Sequence, residues 1–347
     1  MDALSDAQQK LMPEMSELLK KRYQILQTIN LEQPIGRRTL SEVAGATERE
    51  IRKETDLLRN QQLIEMKTAG MTVTSQGLEV LEKLKVFVRE MSGLTDMEKQ
   101  LQTILKISKV VILPQDSDEI PAVKTHIGKE AARLLEALFI RHKKIAVTGG
   151  STMAAISKEL SISKPDRALQ FIAARGGLGE DVLHQANTIA AAFAEKTGGS
   201  FKTLYLPDHL SAEAFAMMMK EPVIKEMMDL YDQTDVVVHG IGNAEEMAVR
   251  RHSSLEEVEK IRSGGAVSEA FGYYFDKDGK IVYRIRTAGI QLEQVQKAST
   301  ILAVAGGGSK ARAILSYFKN APKPTVLVTD EGAARKILGL TKKLEEL

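Results

Sequence analysis

The sequence predicts a two-part α/β protein, an N-terminal winged helix-turn-helix followed by a larger, doubly wound, mainly parallel α/β domain. Two observations predict this fold class. Residues 36–74 contain a helix, a glycine turn, a second helix and an alternating apolar–polar stretch in immediate succession, which is the layout of a helix-turn-helix with a wing. Beyond residue 95, short apolar runs alternate with helical stretches, as in a parallel sheet covered by helices. We divide the chain into residues 1–75, a linker helix at 76–94, and 95–347.

Composition excludes several classes of protein. The 347 residues include no cysteine, which excludes disulfide frameworks, zinc fingers and thiolate chemistry, and the six histidines lack the spacing of a metal site. Charge is balanced, with 48 Lys and Arg against 46 Asp and Glu, so any nucleic-acid surface must come from cations placed on one face. The N-terminus lacks the regions of a signal peptide, and no apolar run approaches the roughly 18 residues that cross a bilayer. A cytoplasmic protein without membrane contacts is expected.

Helical periodicity and capping signals define the first domain. Glu14–Leu31 carries apolar residues on one face of a helix. Thr39 is predicted to cap a short helix that stops at Gly45, and Thr47 to cap a second helix running to about Gln61, with Glu50 three residues on as a capping box. The alternating stretch at 63–74 then predicts a hairpin with its turn at Ala69-Gly70.

The second helix of this motif carries candidate DNA contacts. Arg49, Arg52 and Lys53 project away from the apolar Ile51, where cations would meet phosphates and base edges of a major groove. Acidic residues interleave with them at positions 50, 54 and 56, so an ordinary solvated face is the alternative. The predicted DNA-binding residues are Arg37, Arg38, Arg49, Arg52, Lys53 and, near the tip of the wing, Lys67.

Another helix, Gln76–Met91, repeats apolar residues at spacings of three and four. This spacing suits packing against a partner helix, either in a dimer or within the same chain. Thr95 and Glu98 then predict a capping box that opens a further helix.

Seven apolar runs predict the strands of the second domain. They are Val110–Leu113, Ile145–Val147, Leu169–Ala173, Thr203–Leu206, Val236–His239, Ile301–Val304 and Thr325–Val328. Tyr273–Phe275 and Ile281–Arg284, joined by a turn that contains Gly279, predict a β-hairpin inserted into this α/β pattern.

Glycine loops follow four of these strands, where open α/β folds bind their ligands. Two of the loops lead from a strand through glycines and a hydroxyl residue into a helix, Gly149-Gly150-Ser151-Thr152 and Gly306–Gly308 with Ser309 and Lys310. The others are Arg175 with the glycines at 176, 177 and 179, and the pair at 240 and 242. Backbone N–H groups of such turns and helix N-termini bind anions. The loops therefore predict a pocket for more than one phosphate, although their spacing matches neither a P-loop nor a Rossmann motif.

With these motifs in hand, the chain resembles the SorC family of bacterial transcription regulators. The resemblance runs over nearly the whole length and is carried by QPIGRRTL, TGGST, ARGGLGEDV, QANTIA, EAFGYYFD, AVAGGGSKA and VLVTDEGAA. It implies a repressor of glycolytic genes, headed by the gene of glyceraldehyde-3-phosphate dehydrogenase, that is relieved by fructose 1,6-bisphosphate. It also implies an effector domain similar to sugar-phosphate isomerases of the glucosamine-6-phosphate deaminase kind.

The resemblance further implies roles for individual residues of the effector domain. The turn at 149–152 would hold one phosphate, with Ser151 where the family pattern has threonine. Arg175 and Lys310 would supply charge, and Gln185 and Glu269 would bind sugar hydroxyls. Arg250 would be a further phosphate ligand. The predicted effector-binding residues are Gly149, Gly150, Ser151, Thr152, Arg175, Gln185, Arg250, Glu269 and Lys310.

The implied partners are operator DNA and a phosphorylated sugar, either fructose 1,6-bisphosphate or other sugar phosphates, with no cofactor. A homo-oligomer is expected, a dimer that forms a tetramer on DNA, because two-fold or tandem operators require at least a dimer. The alternative is a sugar-phosphate isomerase or deaminase with an accessory N-terminal domain. A sensor of sugar phosphates that does not bind DNA is a third possibility, which the basic helix and wing disfavour.

Overall fold

The computed structural model describes residues 10–177, 181–208 and 210–345, and the predicted loop glycine Gly179 lies outside these ranges. The chain forms two compact units. One comprises the residues up to Met97 together with Ile120–Ala122, and the other comprises Glu98–Glu119 and the residues from Val123 onward. In the described ranges, no helix is both long enough and apolar enough to cross a membrane.

The first unit is a winged helix-turn-helix, as predicted. Its elements are α1 (Pro13–Glu32), α2 (Arg37–Ala44), α3 (Glu48–Asn60), β1 (Ile64–Lys67), β2 (Gly70–Val73) and α4 (Ser75–Met91). The helices and the hairpin share one apolar core, in which Ile29, Leu40, Ile51 and Ile64 are fully buried. The core explains the helical periodicity of the sequence, because each helix contributes one apolar face to it.

Capping in this unit follows the prediction at one helix and departs from it at another. The Thr47–Glu50 capping box is confirmed, since the Thr47 hydroxyl accepts from the Glu50 N–H at 3.3 Å and the Glu50 carboxylate accepts from the Thr47 N–H at 3.0 Å. The predicted cap at Thr39 is wrong. Ile35 exchanges backbone hydrogen bonds with Met71, so the chain is extended there, and α2 begins directly after Gly36.

The wing and the start of the second unit need two smaller corrections. Lys67 pairs with Gly70, so the hairpin turn consists of residues 68–69 and not of Ala69-Gly70. Helix α5 (Leu94–Leu105) already includes Thr95, so the predicted capping box is wrong. The Glu98 carboxylate instead accepts a hydrogen bond from the N–H of Ile112 at 2.7 Å.

The second unit is built on a seven-stranded parallel sheet with the strand order β3-β13-β12-β7-β4-β5-β6. Its strands are β3 (Lys109–Leu113), β4 (Lys144–Val147), β5 (Gln170–Ala173), β6 (Ser200–Lys202), β7 (Val236–His239), β12 (Thr300–Val304) and β13 (Thr325–Asp330). Its helices are α6 (Ala122–Leu138), α7 (Ser151–Glu159), α8 (Ala186–Thr197), α9 (Ala212–Met218), α10 (Pro222–Asp232), α11 (Ala244–Arg250), α12 (Leu255–Ser263), α13 (Leu292–Lys297), α14 (Ala311–Phe318) and α15 (Glu331–Glu345). Short 3₁₀ turns occupy Val182–His184 and Gly308–Lys310.

Six of the seven predicted parallel strands are confirmed, and the fourth, Thr203–Leu206, is wrong. The strand at this place, β6, ends at Lys202. Beyond it, the Asn187 side chain binds both backbone groups of Leu204, accepting from its N–H at 2.9 Å and donating to its carbonyl at 3.1 Å. Because a side chain satisfies these groups, residues 203–206 do not continue the ladder.

The predicted hairpin is confirmed as part of a larger antiparallel sheet with the order β11-β10-β9-β8. Strands β10 (Tyr273–Asp276) and β11 (Ile281–Arg284) form the hairpin, while β9 (Ala266–Ala270) and β8 (Gly242–Asn243) extend it. The sequence does not predict β8 and β9. Strand β8 begins just after β7, so this sheet starts beside the carboxyl edge of the parallel sheet.

We expect Gly77→Ala to destabilise the first unit by about 1–3 kcal/mol. A Cβ at residue 77 would lie 2.2 Å from the carbonyl oxygen of Leu63 and 2.6 Å from a methyl carbon of Val73. Hydrogen–deuterium exchange of the full chain would measure the loss as faster exchange in α3, β1 and β2. The exposed neighbour Gln76 provides the control, Gln76→Ala. Equal protection in the two variants would contradict the packing described here.

Candidate functional site

The exposed face of α3 carries three cations without ion-pair partners. Arg49, Arg52 and Lys53 are all exposed, and none forms an ion pair with a described residue. They lie on the side opposite Ile51, which is buried in the core. The structure thus places together three of the six residues predicted to bind DNA.

The acidic residues that interleave with these cations point elsewhere. Glu50 caps α3 and pairs with Lys21 at 3.0 Å. Glu54 is buried and pairs with Arg22 at 2.8 Å. Because their charges are neutralised by cations of α1, they leave the outer face of α3 basic.

The remaining predicted DNA contacts are paired within the first unit. Arg37 pairs with Asp56 at 2.8 Å and Arg38 lies 3.5 Å from Glu42. Lys67, at the end of β1, lies 3.3 Å from the Glu65 carboxylate. Arg38 and Lys67 are nevertheless exposed, and weak surface pairs of this kind exchange readily for a phosphate. Arg37 is held more firmly, on the side of α2 that faces α3.

The second unit contains a cavity of about 240 Å³ at the carboxyl edge of the parallel sheet. The four predicted glycine loops follow β12, β7, β4 and β5, which are adjacent in the sheet. All four contribute to the lining, as open α/β folds lead one to expect. Eight predicted effector residues line the cavity, namely Gly149, Gly150, Ser151, Thr152, Arg175, Arg250, Glu269 and Lys310.

Gln185 is the predicted effector residue that does not line this cavity. It precedes α8, and its N–H donates to the carbonyl of Val182. This position was not predictable, because the residues around Gln185 indicate only the start of a helix and do not determine the direction of a side chain.

The turn after β4 leaves N–H groups free at the start of α7. The Gly150 N–H donates to the His184 carbonyl at 2.8 Å, and a φ of +117° at Gly150 turns the chain into the helix. The following N–H groups, of Ser151, Thr152 and Met153, donate to no acceptor in the described part of the chain. Three free N–H groups at a helix N-terminus, with two hydroxyls, form a site that favours an anion.

Four cations surround the cavity, and none forms an ion pair with a described carboxylate. They are Lys124, Arg175, Arg250 and Lys310. Lys124 extends its Nζ to 3.4 Å from the hydroxyl of Ser151, and Lys310 donates to the carbonyl of Ile241 at 3.1 Å. Burial lowers the pKa of Lys310, and the charges of Arg250 and Lys124 lower it further against the opposing effect of Glu246.

Arg175 is the most deeply placed of these cations. Its Nε is buried without a hydrogen-bond partner, and its guanidinium approaches the backbone of Gly149, where a Cβ would lie 2.7 Å from Nη2. Burial lowers the pKa of Arg175. A buried N–H without a described acceptor costs free energy, which a bound anion would recover.

Glu269 is engaged by a cation that the sequence analysis missed, Arg251. This arginine is buried and bridges two carboxylates, that of Asp208 at 2.9 Å and that of Glu269 at 2.9 Å. Burial alone would lower the pKa of Arg251, but the charges of Glu269 and Asp208 raise it well above its ordinary value. Glu269 also accepts the N–H of Gly272 at 2.7 Å.

Sequence reasoning also missed Asp118, which lines the cavity from the segment between β3 and α6, and Lys124, which lines it from the first turn of α6. Neither belongs to a glycine loop or a motif, so no local signal could have identified them. Arg251 is adjacent to the predicted Arg250, but only the fold shows that one guanidinium is buried and the other exposed.

Comparison with known proteins agrees with this division of the chain. A family model described as "CggR N-terminal DNA binding domain" matches residues 18–88. One described as "Putative sugar-binding domain" matches residues 89–339. The central glycolytic genes regulator of Bacillus subtilis is 44% identical over 338 residues, which cover 97% of this chain and 99% of that protein.

Two solved structures extend the comparison. The crystal structure of a "putative SorC family transcriptional regulator" from Enterococcus faecalis is 41% identical, with a TM-score of 0.65 over 70% of this chain and 99% of that one. The full-length sorbitol operon regulator SorC from Klebsiella pneumoniae is 17% identical, with a TM-score of 0.64 over 88% of this chain and 95% of that one, which shows a common fold.

We expect Arg251→Met to destabilise the second unit by about 3–5 kcal/mol, because it leaves Asp208 and Glu269 as buried carboxylates without a cation. Thermal unfolding of the full chain would measure this loss. Arg262→Met is the matched control, since Arg262 is exposed and pairs with Glu245 on the surface, where a change within about 0.5 kcal/mol is expected. Similar stabilities of the two variants would contradict the role given to the buried triad.

Proposed function

We propose that this chain, which belongs to the SorC family of transcription regulators, represses glycolytic genes in a way that depends on a sugar phosphate. The proposal starts from its similarity to the central glycolytic genes regulators. The first unit binds operator DNA. The second unit binds fructose 1,6-bisphosphate, and binding releases the DNA. The target we propose is the operon headed by the gene of glyceraldehyde-3-phosphate dehydrogenase.

The single observation that carries the effector assignment is a set of four cations around one cavity that form no ion pair with any carboxylate in the described part of the chain. Lys124 reaches the hydroxyl of Ser151, and Lys310, Arg175 and Arg250 line the same cavity from three other segments. A phosphate monoester carries a charge of about −1.5 to −2 at neutral pH, and the carboxylates of Asp118 and Glu246 also line the cavity. The excess of cations suits a phosphorylated sugar, and the position of these cations on four separate segments around the cavity is the reason to propose a phosphate at each end.

The DNA assignment rests on the sorting of charges along α3. The three cations at 49, 52 and 53 are exposed and unpaired, while Glu50 and Glu54 are neutralised by α1. This arrangement favours a DNA-reading helix over an ordinary solvated face, in which each cation would have an acidic neighbour. The wing would add Lys67, a contact of the kind that winged helices make with the backbone.

Ligand and DNA must be linked by a coupling free energy. If effector binding weakens DNA binding by a given factor, DNA weakens effector binding by the same factor. A coupling of about 1–3 kcal/mol would loosen DNA by roughly 5–150-fold. We propose that the regulator works in the cytoplasm as a homo-oligomer, a dimer that forms a tetramer on tandem or two-fold operator sites.

The isomerase or deaminase alternative has lost its support. The relatives that match the whole chain are transcription regulators. The Glu269 carboxylate, which lines the cavity, is bound by Arg251 and by the N–H of Gly272. A carboxylate that accepts from these two donors is held in place by the scaffold, whereas an acid–base catalyst must exchange protons with a substrate.

We expect Arg52→Ala to weaken binding to the operator by roughly 5–150-fold, corresponding to about 1–3 kcal/mol for one lost contact. Binding of fructose 1,6-bisphosphate should stay unchanged, because Arg52 belongs to the other unit. Fluorescence anisotropy on the operator DNA at fixed salt would measure the first effect and calorimetry the second. Arg59→Ala on the same helix, where Asp56 lies 3.8 Å away, is the matched control and should retain most of the affinity. A joint loss of DNA and sugar binding in Arg52→Ala would contradict the division of labour.

We expect Lys310→Met and Thr152→Val to give repressors that bind DNA normally but are not released by fructose 1,6-bisphosphate. Each change removes a donor near the free N–H groups of α7, and we expect at least about a tenfold loss of sugar affinity from a charge-assisted contact. Anisotropy of the protein–operator complex during titration with the bisphosphate would record the release. Lys129→Met, an exposed lysine of α6 outside the cavity, should be released like the wild type. Normal release in both site variants would move the effector site elsewhere.

A further inference from the structure

The turn after β12 resembles the turn after β4 in sequence but differs from it in its hydrogen bonds. Its N–H groups are already bound to carboxylates of the chain itself. The Gly307 N–H donates to Asp330 at 2.7 Å, and the Gly308 N–H donates to Asp116 at 3.2 Å. The first turn, by contrast, leaves the N–H groups of residues 151–153 without described acceptors.

Asp118 completes the closure of this second turn. Its carboxylate accepts from the Ser309 N–H at 2.7 Å and from the Ser309 hydroxyl at 3.1 Å. It lies so close over Gly307 that a Cβ at that glycine would be 2.3 Å from Oδ1. The glycines of this turn, which the sequence predicts to bind phosphate, are therefore packed against a carboxylate of the chain itself.

Of the three carboxylates on this turn, Asp118 is the one that lines the cavity. Asp330 is fully buried, whereas Asp118 is exposed. Its charge also acts on Lys310, whose pKa it raises against the larger lowering effect of burial. Asp118 thus neutralises part of the positive charge of the lining, which would otherwise attract the phosphate of a ligand.

We infer that Asp118 is a specificity-determining residue of the effector site, an internal anion that closes the 307–309 turn to phosphate and lowers the affinity of the cavity for phosphorylated sugars. This inference rests on the proposed function, because it concerns the same cavity. Phosphate is confined to the turn at 149–152 and to the arginines, although both turns have the same succession of glycines and hydroxyl.

The physical reason is competition between like charges for one set of donors. A carboxylate and a phosphate both bind N–H and hydroxyl donors, and two anions in a partly enclosed site repel each other. With Asp118 in place, the Ser309 donors are occupied and the field of Lys310 is reduced. Without its charge, an effector phosphate meets a more positive cavity.

The test compares Asp118→Asn and Asp118→Ala with the wild type by calorimetric titration of fructose 1,6-bisphosphate, fructose 6-phosphate and fructose. Asp118→Asn removes the charge but keeps an oxygen that can accept from Ser309. We therefore expect this variant to fold like the wild type. We expect both variants to bind the two phosphorylated sugars roughly tenfold more tightly, which is about the effect of removing one like charge at this range. Fructose, which has no phosphate, should bind no better.

A second comparison tests the closure of the turn itself. In Asp118→Ala the two Ser309 donors are free, so this variant should gain more affinity than Asp118→Asn. Adding Ser309→Ala should reduce that difference, because it removes the hydroxyl donor and leaves the N–H. Glu119→Gln is the matched control, because Glu119 is the exposed neighbour, carries the same charge and does not line the cavity. It should bind like the wild type.

Unchanged or weaker binding in both Asp118 variants would overturn the inference, since it would make Asp118 either irrelevant or a ligand of the sugar. An equal gain in Glu119→Gln would overturn it as well, by reducing the effect to net charge. If the wild type binds no sugar phosphate at all, the proposed function fails instead. In that case, the inference about Asp118 is tested with inorganic phosphate by thermal unfolding. The inference is supported if phosphate stabilises Asp118→Asn more than the wild type, and it is overturned if phosphate does not.

Discussion

A buried ion triad positions much of the effector cavity. Arg251 lies between Asp208, which follows β6, and Glu269 of β9, and its Nη1 is 3.3 Å from the hydroxyl of Tyr274 on β10. Each of the three charges would be costly to bury alone, so they hold one another in a single arrangement. Because β9 belongs to the antiparallel sheet, the triad ties that sheet to the loops at the carboxyl edge of the parallel sheet. It also fixes the end of α11, from which Arg250 reaches the cavity wall.

The two units use the same device to create a positive surface from a chain with nearly balanced charge. In the first unit, Lys21 and Arg22 of α1 neutralise Glu50 and Glu54, which leaves the cations of α3 unpaired. In the second unit, Arg251 takes up the buried carboxylates, which leaves Arg175 without one. Net charge is a poor guide to the partners of such a protein. What decides is which charges are paired within the fold and which remain for an anion.

Sequence predicted the parts of this protein that depend on neighbouring residues. The Thr47–Glu50 capping box and the glycine turn before Ser151 are encoded within a few positions, and so both were recognisable. Features that depend on distant residues were not. The strand expected at Thr203–Leu206 is interrupted by the side chain of Asn187, and Asp118 reaches Ser309 across 191 positions of sequence. The periodicity of a segment shows which of its faces is apolar. It does not show which distant polar side chain will bind the backbone N–H and C=O groups of that segment.

The hydrogen bonds of Glu269 show how a cavity at the carboxyl edge of a parallel sheet can bind a ligand without catalysis. An acid–base catalyst needs a carboxylate that is poised between its two protonation states and can reach the substrate. Arg251 and the N–H of Gly272 both donate to the same oxygen of Glu269, which fixes this side chain in the framework of the cavity. This carboxylate is part of the scaffold, and the cavity is lined by cations and by N–H groups without described acceptors. In the function proposed above, the energy of ligand binding would change DNA affinity rather than stabilise a transition state.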